Sequence, residues 1–234
     1  MNNNYSYKGI LIGLLALGLL SSAQPASADW WHWGKGERVK GSGKLATEMR
    51  DLKNFSAIEV KGSSDVDVTI GKSFSVEVEA DDNLLEYLET EVRHGTLFIS
   101  YAEGYSISTR RGSRLNITMP EIQEIEIRGS SDVRVDGAKG KELIVTIAGS
   151  GDMKLSGAVD DFEADIRGSG DIDARKLVAR EAYISIKGSG DVDVAVDDFL
   201  DARISGSGDI TYYGDPKVKK RVRGSGDINH RRRR

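Results

Sequence analysis

The pentapeptide Gly-Ser-Gly-Asp-Ile, or a near copy of it, begins at Gly62, Gly129, Gly149, Gly168, Gly188, Gly206 and Gly224. From Gly129 onward the steps between copies are 20, 19, 20, 18 and 18 residues. One unit of this length cannot bury an apolar face alone, whereas stacked units can. The flanks repeat as well. Two residues before each copy stand Val60, Ile127, Ile147, Ile166, Ile186, Ile204 and Val222. Four before stand Ile58, Ile125, Val145, Ala164, Ile184, Ala202 and Lys220. The copies end on Val66, Val133, Met153, Ile172, Val192, Ile210 and Ile228. Apolar and polar residues alternate on both sides of the glycines, and a period of two means strands with one buried face. Each unit therefore reads as strand, small-residue corner, strand and variable loop.

Stacking such units predicts an all-β fold, a right-handed parallel β-helix (solenoid) of about 18–20 residues per coil. Each coil adds about 4.8 Å of height, the spacing of paired strands. Right-handedness is expected because parallel crossovers nearly always take that hand. A left-handed hexapeptide helix needs a six-residue period, which is not found. With 27 glycines, 3 prolines and 7% aromatics, the composition suits short strands joined by tight turns.

The glycine motif invites comparison with ligand loops. A dinucleotide loop requires G-x-G-x-x-G opening a helix. Here Gly168-Ser169-Gly170 leads into Asp171-Ile172-Asp173-Ala174, a strand pattern. Gly41-Ser42-Gly43-Lys44 fails as a P-loop, since Arg38 occupies the position of the first required glycine. Gly149, Gly168, Gly188, Gly206 and Gly224 are thus expected to be structural turn residues at coil corners. Ser169 is expected to bond nearby backbone or the next serine in the stack, and Asp171 to accept amides of its own turn.

The same corners would stack Asp132, Asp152, Asp171, Asp191, Asp209 and Asp227 along one edge. Like charges about 5 Å apart repel, so the ladder needs backbone hydrogen bonds, solvent or a cation. Asp152, Asp171, Asp191 and Asp209 are weak calcium-ligand candidates on this ground. Secreted calcium rolls use a double glycine and a nine-residue period, neither of which occurs here. No cofactor is otherwise expected.

The ends of the chain differ from its middle. Residues 1–28 read as a signal peptide, with Lys8, an apolar run from Ile10 to Leu20 and Ala26-Ser27-Ala28 before the cleavage point. The protein is accordingly expected to be exported, to the periplasm, the outer surface or the medium, with no transmembrane segment after cleavage. Residues 29–50 read as an N-terminal linker or cap, 51–228 as the β-helix domain and 229–234 as a basic tail. Trp30, Trp31 and Trp33 surround His32 in the linker, as an end-cap or tail with a sugar- or membrane-facing patch as the alternative. Between the first and second copies the coil pattern breaks. Ser75–Ala80 and Thr96–Tyr101 read as strands, with a short helix and turn inserted near residues 81–95 carrying Leu84, Leu85 and Leu88. Tyr101–Ser113 reads as a mobile polar loop.

Lys217, Lys219, Lys220, Arg221, Arg223 and Arg231–Arg234 face few acids. Two readings stay open: adhesion to anionic lipid, polysaccharide or nucleic acid, and charge that protects an open strand edge, the latter slightly favoured. The net charge of -4 argues against specific nucleic-acid binding by the chain as a whole.

Taken with the repeated corners, "FSAIEVKGSSDVDVTIG" at 55–71 and "VEVEADDNLLEYLETEVRHGTLFI" at 76–99 carry a resemblance. The chain resembles the putative auto-transporter adhesin, head GIN domain family, a bacterial domain of unknown function, from about Phe55 to Ile228. The resemblance implies a right-handed β-helix in the bacterial envelope or outside the cell, and it brings no catalytic residues. An auto-transporter needs a translocator barrel of many alternating strands; none follows the repeats, so self-secretion is not expected.

The function expected is a non-catalytic, secreted or envelope-associated adhesion module that binds a polymer or protein, with Phe162, Tyr183, Phe199, Tyr212 and Tyr213 as face or core residues. The alternatives are a polysaccharide lyase or hydrolase and a calcium-stabilised spacer. A glycosidase needs paired carboxylates about 5–9 Å apart, which any acidic ladder supplies. No coil stands out chemically, however, and His32, His94 and His230 fall in tail or turn segments.

Overall fold

The computed structural model describes residues 36–232. The leader read over residues 1–28 and the cluster around Trp30, Trp31, His32 and Trp33 lie outside the described residues. The strands in chain order are β1 (Glu37–Lys40), β2 (Leu45–Arg50), β3 (Ala57–Gly62), β4 (Asp65–Ile70), β5 (Ser75–Asp81), β6 (Leu88–Arg93), β7 (Thr96–Tyr101), β8 (Tyr105–Ser108) and β9 (Arg114–Met119). They continue with β10 (Glu124–Gly129), β11 (Val133–Gly149), β12 (Met153–Gly168), β13 (Ile172–Gly188), β14 (Val192–Gly206), β15 (Ile210–Tyr213), β16 (Lys217–Gly224) and β17 (Ile228–Arg231). The stacked parallel coils make a β-solenoid of about 5 turns, the all-β parallel β-helix expected from the repeat.

Register follows the repeat residue for residue. On the face before the corner, Ile127 pairs with Val60 and Ile147, and Ile147 with Ile166. The column continues through Ile186, Ile204 and Val222. On the face after the corner, Val66, Val133, Met153, Ile172, Val192, Ile210 and Ile228 align in the same way. The long strands β11 to β14 bend through a third face, where the register slips between Val135 and Ala138 and between Ala174 and Val178. Coil-length variation is therefore absorbed on this third side, away from the glycine corners.

Inward columns form one dry core. Ile127, Ile147, Ile166, Ile186 and Ile204 are all buried. Phe162 fills a fully buried position beside the small Ala182 of the next coil. Each buried branched aliphatic contributes about 1.5–3 kcal/mol relative to exposure, so the columns supply the driving force for stacking.

The corners explain the glycines. Ser189 N–H donates to the Gly168 carbonyl at 2.9 Å, and Ile172 N–H donates to the Asp191 carbonyl at 2.8 Å. Gly188 has φ 150°, and a Cβ there would lie 2.0 Å from the Gly168 oxygen. Gly190 shows no such φ, yet a Cβ would lie 2.0 Å from the Gly170 oxygen. The first glycine is thus required for conformation and closeness, the second for closeness alone. In the first two copies the second glycine is a serine; Ser64 and Ser131 are buried there, and the Ser64 and Ser113 hydroxyls bond each other at 2.7 Å.

The aspartates bond between coils rather than within their own turns. Oδ1 of Asp132 accepts the Asp152 amide at 3.0 Å, and Oδ1 of Asp152 accepts that of Asp171 at 3.0 Å. The series continues with Asp171 to Asp191 at 2.7 Å, Asp191 to Asp209 at 2.7 Å and Asp209 to Asp227 at 2.8 Å. Where the chain bends, an amide loses its ladder carbonyl, and the carboxylate below replaces it. The serines join the ladder through their backbone amides, as Ser169 N–H does by donating to the Gly149 carbonyl at 2.9 Å.

The N-terminal end departs from the sequence reading in three places. The expected helix is a single 3-10 turn over Asp82–Leu84, and Leu88 already opens β6. Neither acid caps it: the Asp81 carboxylate binds Gly43 N–H and the Thr109 hydroxyl, while Asp82 binds the Ser42 hydroxyl and the Asn83 amide. Without a cap and with only three turn residues, no helix propagates. Tyr101–Ser113 holds β8, paired in parallel with β1, because residues 37–40 supply a partner strand that local sequence pattern does not reveal. Residues 45–50 are likewise a strand, β2, antiparallel to β5. The hairpin of β6 and β7 and the antiparallel pairing of β5 with β9 complete this end.

These contacts make Gly188→Ala costly through both strain and backbone clash, by about 3 kcal/mol or more. Serine to alanine at the exposed Ser205 beside it should change stability by less than about 0.5 kcal/mol, as urea titration of both variants will test. Asp171→Ala strips the Asp191 amide of its acceptor and should cost about 1–3 kcal/mol. Asp171→Asn retains an acceptor oxygen and should cost less; equal losses for the two would remove the hydrogen-bond account.

Candidate functional site

The outward positions divide the solenoid into three chemically different regions. The first is the aspartate edge. Asp152, Asp171, Asp191 and Asp209 stand one above another, each with Oδ1 committed to the amide of the next coil. Among the described residues, no group of three or more His, Asp or Glu side chains converges in a way that could hold a metal ion. Gly149, Gly168, Gly188, Gly206 and Gly224 form the neighbouring column at close backbone approach. At this edge one carboxylate oxygen takes the place of the ladder carbonyl that the bend removes.

The second region is the charged flank. Here cations and acids neutralise one another, often across coils. Arg128 reaches both Glu126 at 2.8 Å and Glu59 at 3.4 Å. Arg180 bridges Asp160 at 3.7 Å and Asp198 at 3.2 Å. Arg175 binds Asp173 and approaches Asp193 at 3.9 Å. The hydrogen bond from Arg175 holds the Asp173 carboxyl below the usual carboxylate range despite its partial burial. Asp201 is buried and shared by Arg203 at 2.7 Å and Lys219 at 3.0 Å.

Within this flank lies a shallow open groove lined by Asp160, Asp161, Glu163, Arg180, Glu181 and Tyr183. Tyr183 is 41% exposed, and its ring lies 6.0 Å from that of Phe199 in the next coil. Its hydroxyl donates to Glu181 at 2.7 Å, and this bond raises the phenol above its ordinary range. The five aromatics singled out in the sequence thus separate. Phe162 and Tyr212 are core residues, Phe199 and Tyr213 are half-buried, and Tyr183 is the outward platform. Alternation separates two of them: Phe162 is in phase with the inward Ala164 and Ile166, whereas Tyr183 is out of phase with the inward Ile184 and Ile186. An aromatic ring among carboxylates suits a hydroxyl-rich ligand: the ring takes C–H faces and the carboxylates accept hydroxyl hydrogens.

The third region is the C-terminal coil. Lys220 takes a core-column position above Ala202, donates to the Ile228 carbonyl at 2.9 Å and lies 5.0 Å from the Tyr212 ring centroid. His230 stacks on Tyr212 at 5.1 Å, and its Nε2 lies 2.8 Å from the Gly214 carbonyl. His94 sits in the β6–β7 turn with φ 51°. His230 Nε2 also lies 3.7 Å from the Asp215 carboxylate, and neither described histidine lines the flank groove.

The segment Gly41-Ser42-Gly43-Lys44 also finds its role here. It is the β1–β2 connection, clamped by Ser42 N–H to Asn83 Oδ1 at 2.8 Å and by Asn83 Nδ2 to the Lys40 carbonyl at 2.9 Å. A Cβ at Gly41 would collide with the Asp81 carboxylate. No helix follows it, so it cannot act as a phosphate loop. Among the described residues no helix is long and apolar enough to cross a membrane.

Comparison with known proteins gives a consistent picture. A solved protein described as a putative adhesin from Bacteroides fragilis has a TM-score of 0.68 at 23% identity, covering 82% of this chain and 100% of that one. One described as a putative lipid binding protein from Parabacteroides distasonis has a TM-score of 0.59 at 26% identity, covering 83% and 100%. A putative adhesin from Parabacteroides merdae has a TM-score of 0.55 at 22% identity, covering 84% and 100%. No curated protein matches the sequence. The family model described as putative auto-transporter adhesin, head GIN domain, matches residues 54–216, which runs from just before β3 through β15 and leaves out β1, β2 and the last coil, and the chain belongs to that family.

Proposed function

We propose that the protein is a non-catalytic adhesion module of the cell envelope that holds an extended, hydroxyl-rich polymer against the flank at Tyr183. The observation that carries this reading is the exposed Tyr183 ring set among carboxylates at mid-stack, on a face whose coils repeat at fixed spacing. A polymer lying along such a face meets one residue of this column per coil, with Glu163 on one side of Tyr183 and Asp201 on the other. The adhesin descriptions of the structural neighbours support the class. The leader read at residues 1–28 supports an exported location.

The corner carboxylates from Asp132 to Asp209 each hold the amide of the next coil, which commits that row of acids to the backbone. This favours binding over lyase or hydrolase chemistry. It also favours a stack whose stability does not depend on calcium, so the thermal transition should stay in place on addition of calcium or chelator.

The binding test uses immobilised envelope glycans and follows both retention and release of new sugar ends. Wild-type protein should be retained without releasing ends, and Tyr183→Ala should weaken retention by about tenfold while keeping the β spectrum. Release of unsaturated or reducing ends would establish an enzyme instead. Retention equal in Tyr183→Ala and wild type would move the site off this flank.

A further inference from the structure

We propose that the C-terminal coil is a docking face for an anionic phospholipid surface, separate from the Tyr183 flank. The arginines of the solenoid body are held by acids of their own or neighbouring coils, as with Arg128, Arg167, Arg175, Arg180 and Arg203. The terminal coil breaks that rule. Lys217, Arg221, Arg223, Arg231 and Arg232 are exposed and make no ion pair or side-chain hydrogen bond among the described residues. From Lys217 to Arg232 the one acid is Asp227. These cations come from β16, from β17 and from the residue that follows it, and the two strands lie in the same coil and therefore at one level of the stack.

The middle of this face is apolar. Val218, Val222 and Ile228 continue the core columns, and among the described residues nothing is stacked beyond them. Val222 is 41% exposed, whereas Ile204 directly beneath it is buried. An apolar centre rimmed by unpaired cations at one level matches a bilayer interface: the rim meets lipid phosphates and the centre meets the acyl boundary. A linear acidic polymer would use the rim and leave the apolar centre wet. A second copy stacked on the coil would have to bury Lys220, which already occupies the core column, and would face unpaired like charge along β16.

The test measures partitioning of the purified chain, with and without its first 28 residues, onto phosphatidylcholine vesicles and onto vesicles that also contain phosphatidylglycerol. Binding should require the anionic lipid and weaken as salt rises. Arg221→Ser with Arg223→Ser removes two cations and should lower partitioning about thirty-fold. Val222→Ser should lower it further without changing its salt dependence. Arg110→Ser with Arg111→Ser, at the exposed loop of the opposite end, should leave it unchanged, as should Tyr183→Ala. Each variant is checked for an unchanged β spectrum and melting transition. Equal binding to neutral vesicles, equal binding by the Arg221/Arg223 variant, or capture of soluble polyglutamate with no vesicle binding would each overturn the proposal. Because Tyr183→Ala is expected to act only on glycan retention, failure of one site leaves the other standing.

Discussion

Close approach of backbone to backbone at the corners is the constraint on which the rest of the structure depends. From the third copy onward, glycines before and after the corner serine let successive coils come within hydrogen-bonding distance where the chain changes direction. A Cβ at either glycine of these copies would meet a carbonyl oxygen of the preceding coil at about 2 Å, far inside van der Waals contact. Because the corners cannot shift, the register on both adjoining faces is fixed, and the branched aliphatics fall into unbroken columns. The third face carries no glycine column repeated at every coil, and there the register slips.

Fixing the corners creates an electrostatic problem and its answer together. Stacking identical coils places identical carboxylates one above another. Each is held in place because it accepts the amide of the next coil, a charge-assisted bond that offsets repulsion along the column. On the flank the answer is different. Opposite charges from different coils pair there, so most of the molecule presents a surface neutralised from within. Exposed pairs of this kind add little stability, but they decide what the surface offers to a ligand.

The two ends of the described solenoid handle their open edges in unlike ways. At the N-terminal end, antiparallel strands and the clamp around Asp81 close the stack with side-chain hydrogen bonds. At the C-terminal end, an inward lysine and a rim of cations stand where a further coil would lie. Inward charge of this sort is a known protection against edge-to-edge pairing, and it leaves a surface unlike any other part of the molecule.

The sequence by itself determined the solenoid, its coil length, the positions of its corners and most of its core columns. Each follows from short-range facts that recur: alternation of two, glycine where no side chain fits, and a period of 18–20 residues. It could not show that Asp171 serves Asp191 in the next coil rather than its own turn, because that pairing depends on how coils face one another. Nor could it show that residues 37–40 would pair with 105–108 and convert an apparent loop into a strand, since neither segment has a distinctive pattern until the other is beside it. Which arginines find an acid in a neighbouring coil was likewise decided by tertiary stacking. The physical reason is common to all of these: the repeat specifies the distance between coils, but only the assembled stack brings residues about nineteen positions apart within reach of each other's charges and hydrogen bonds.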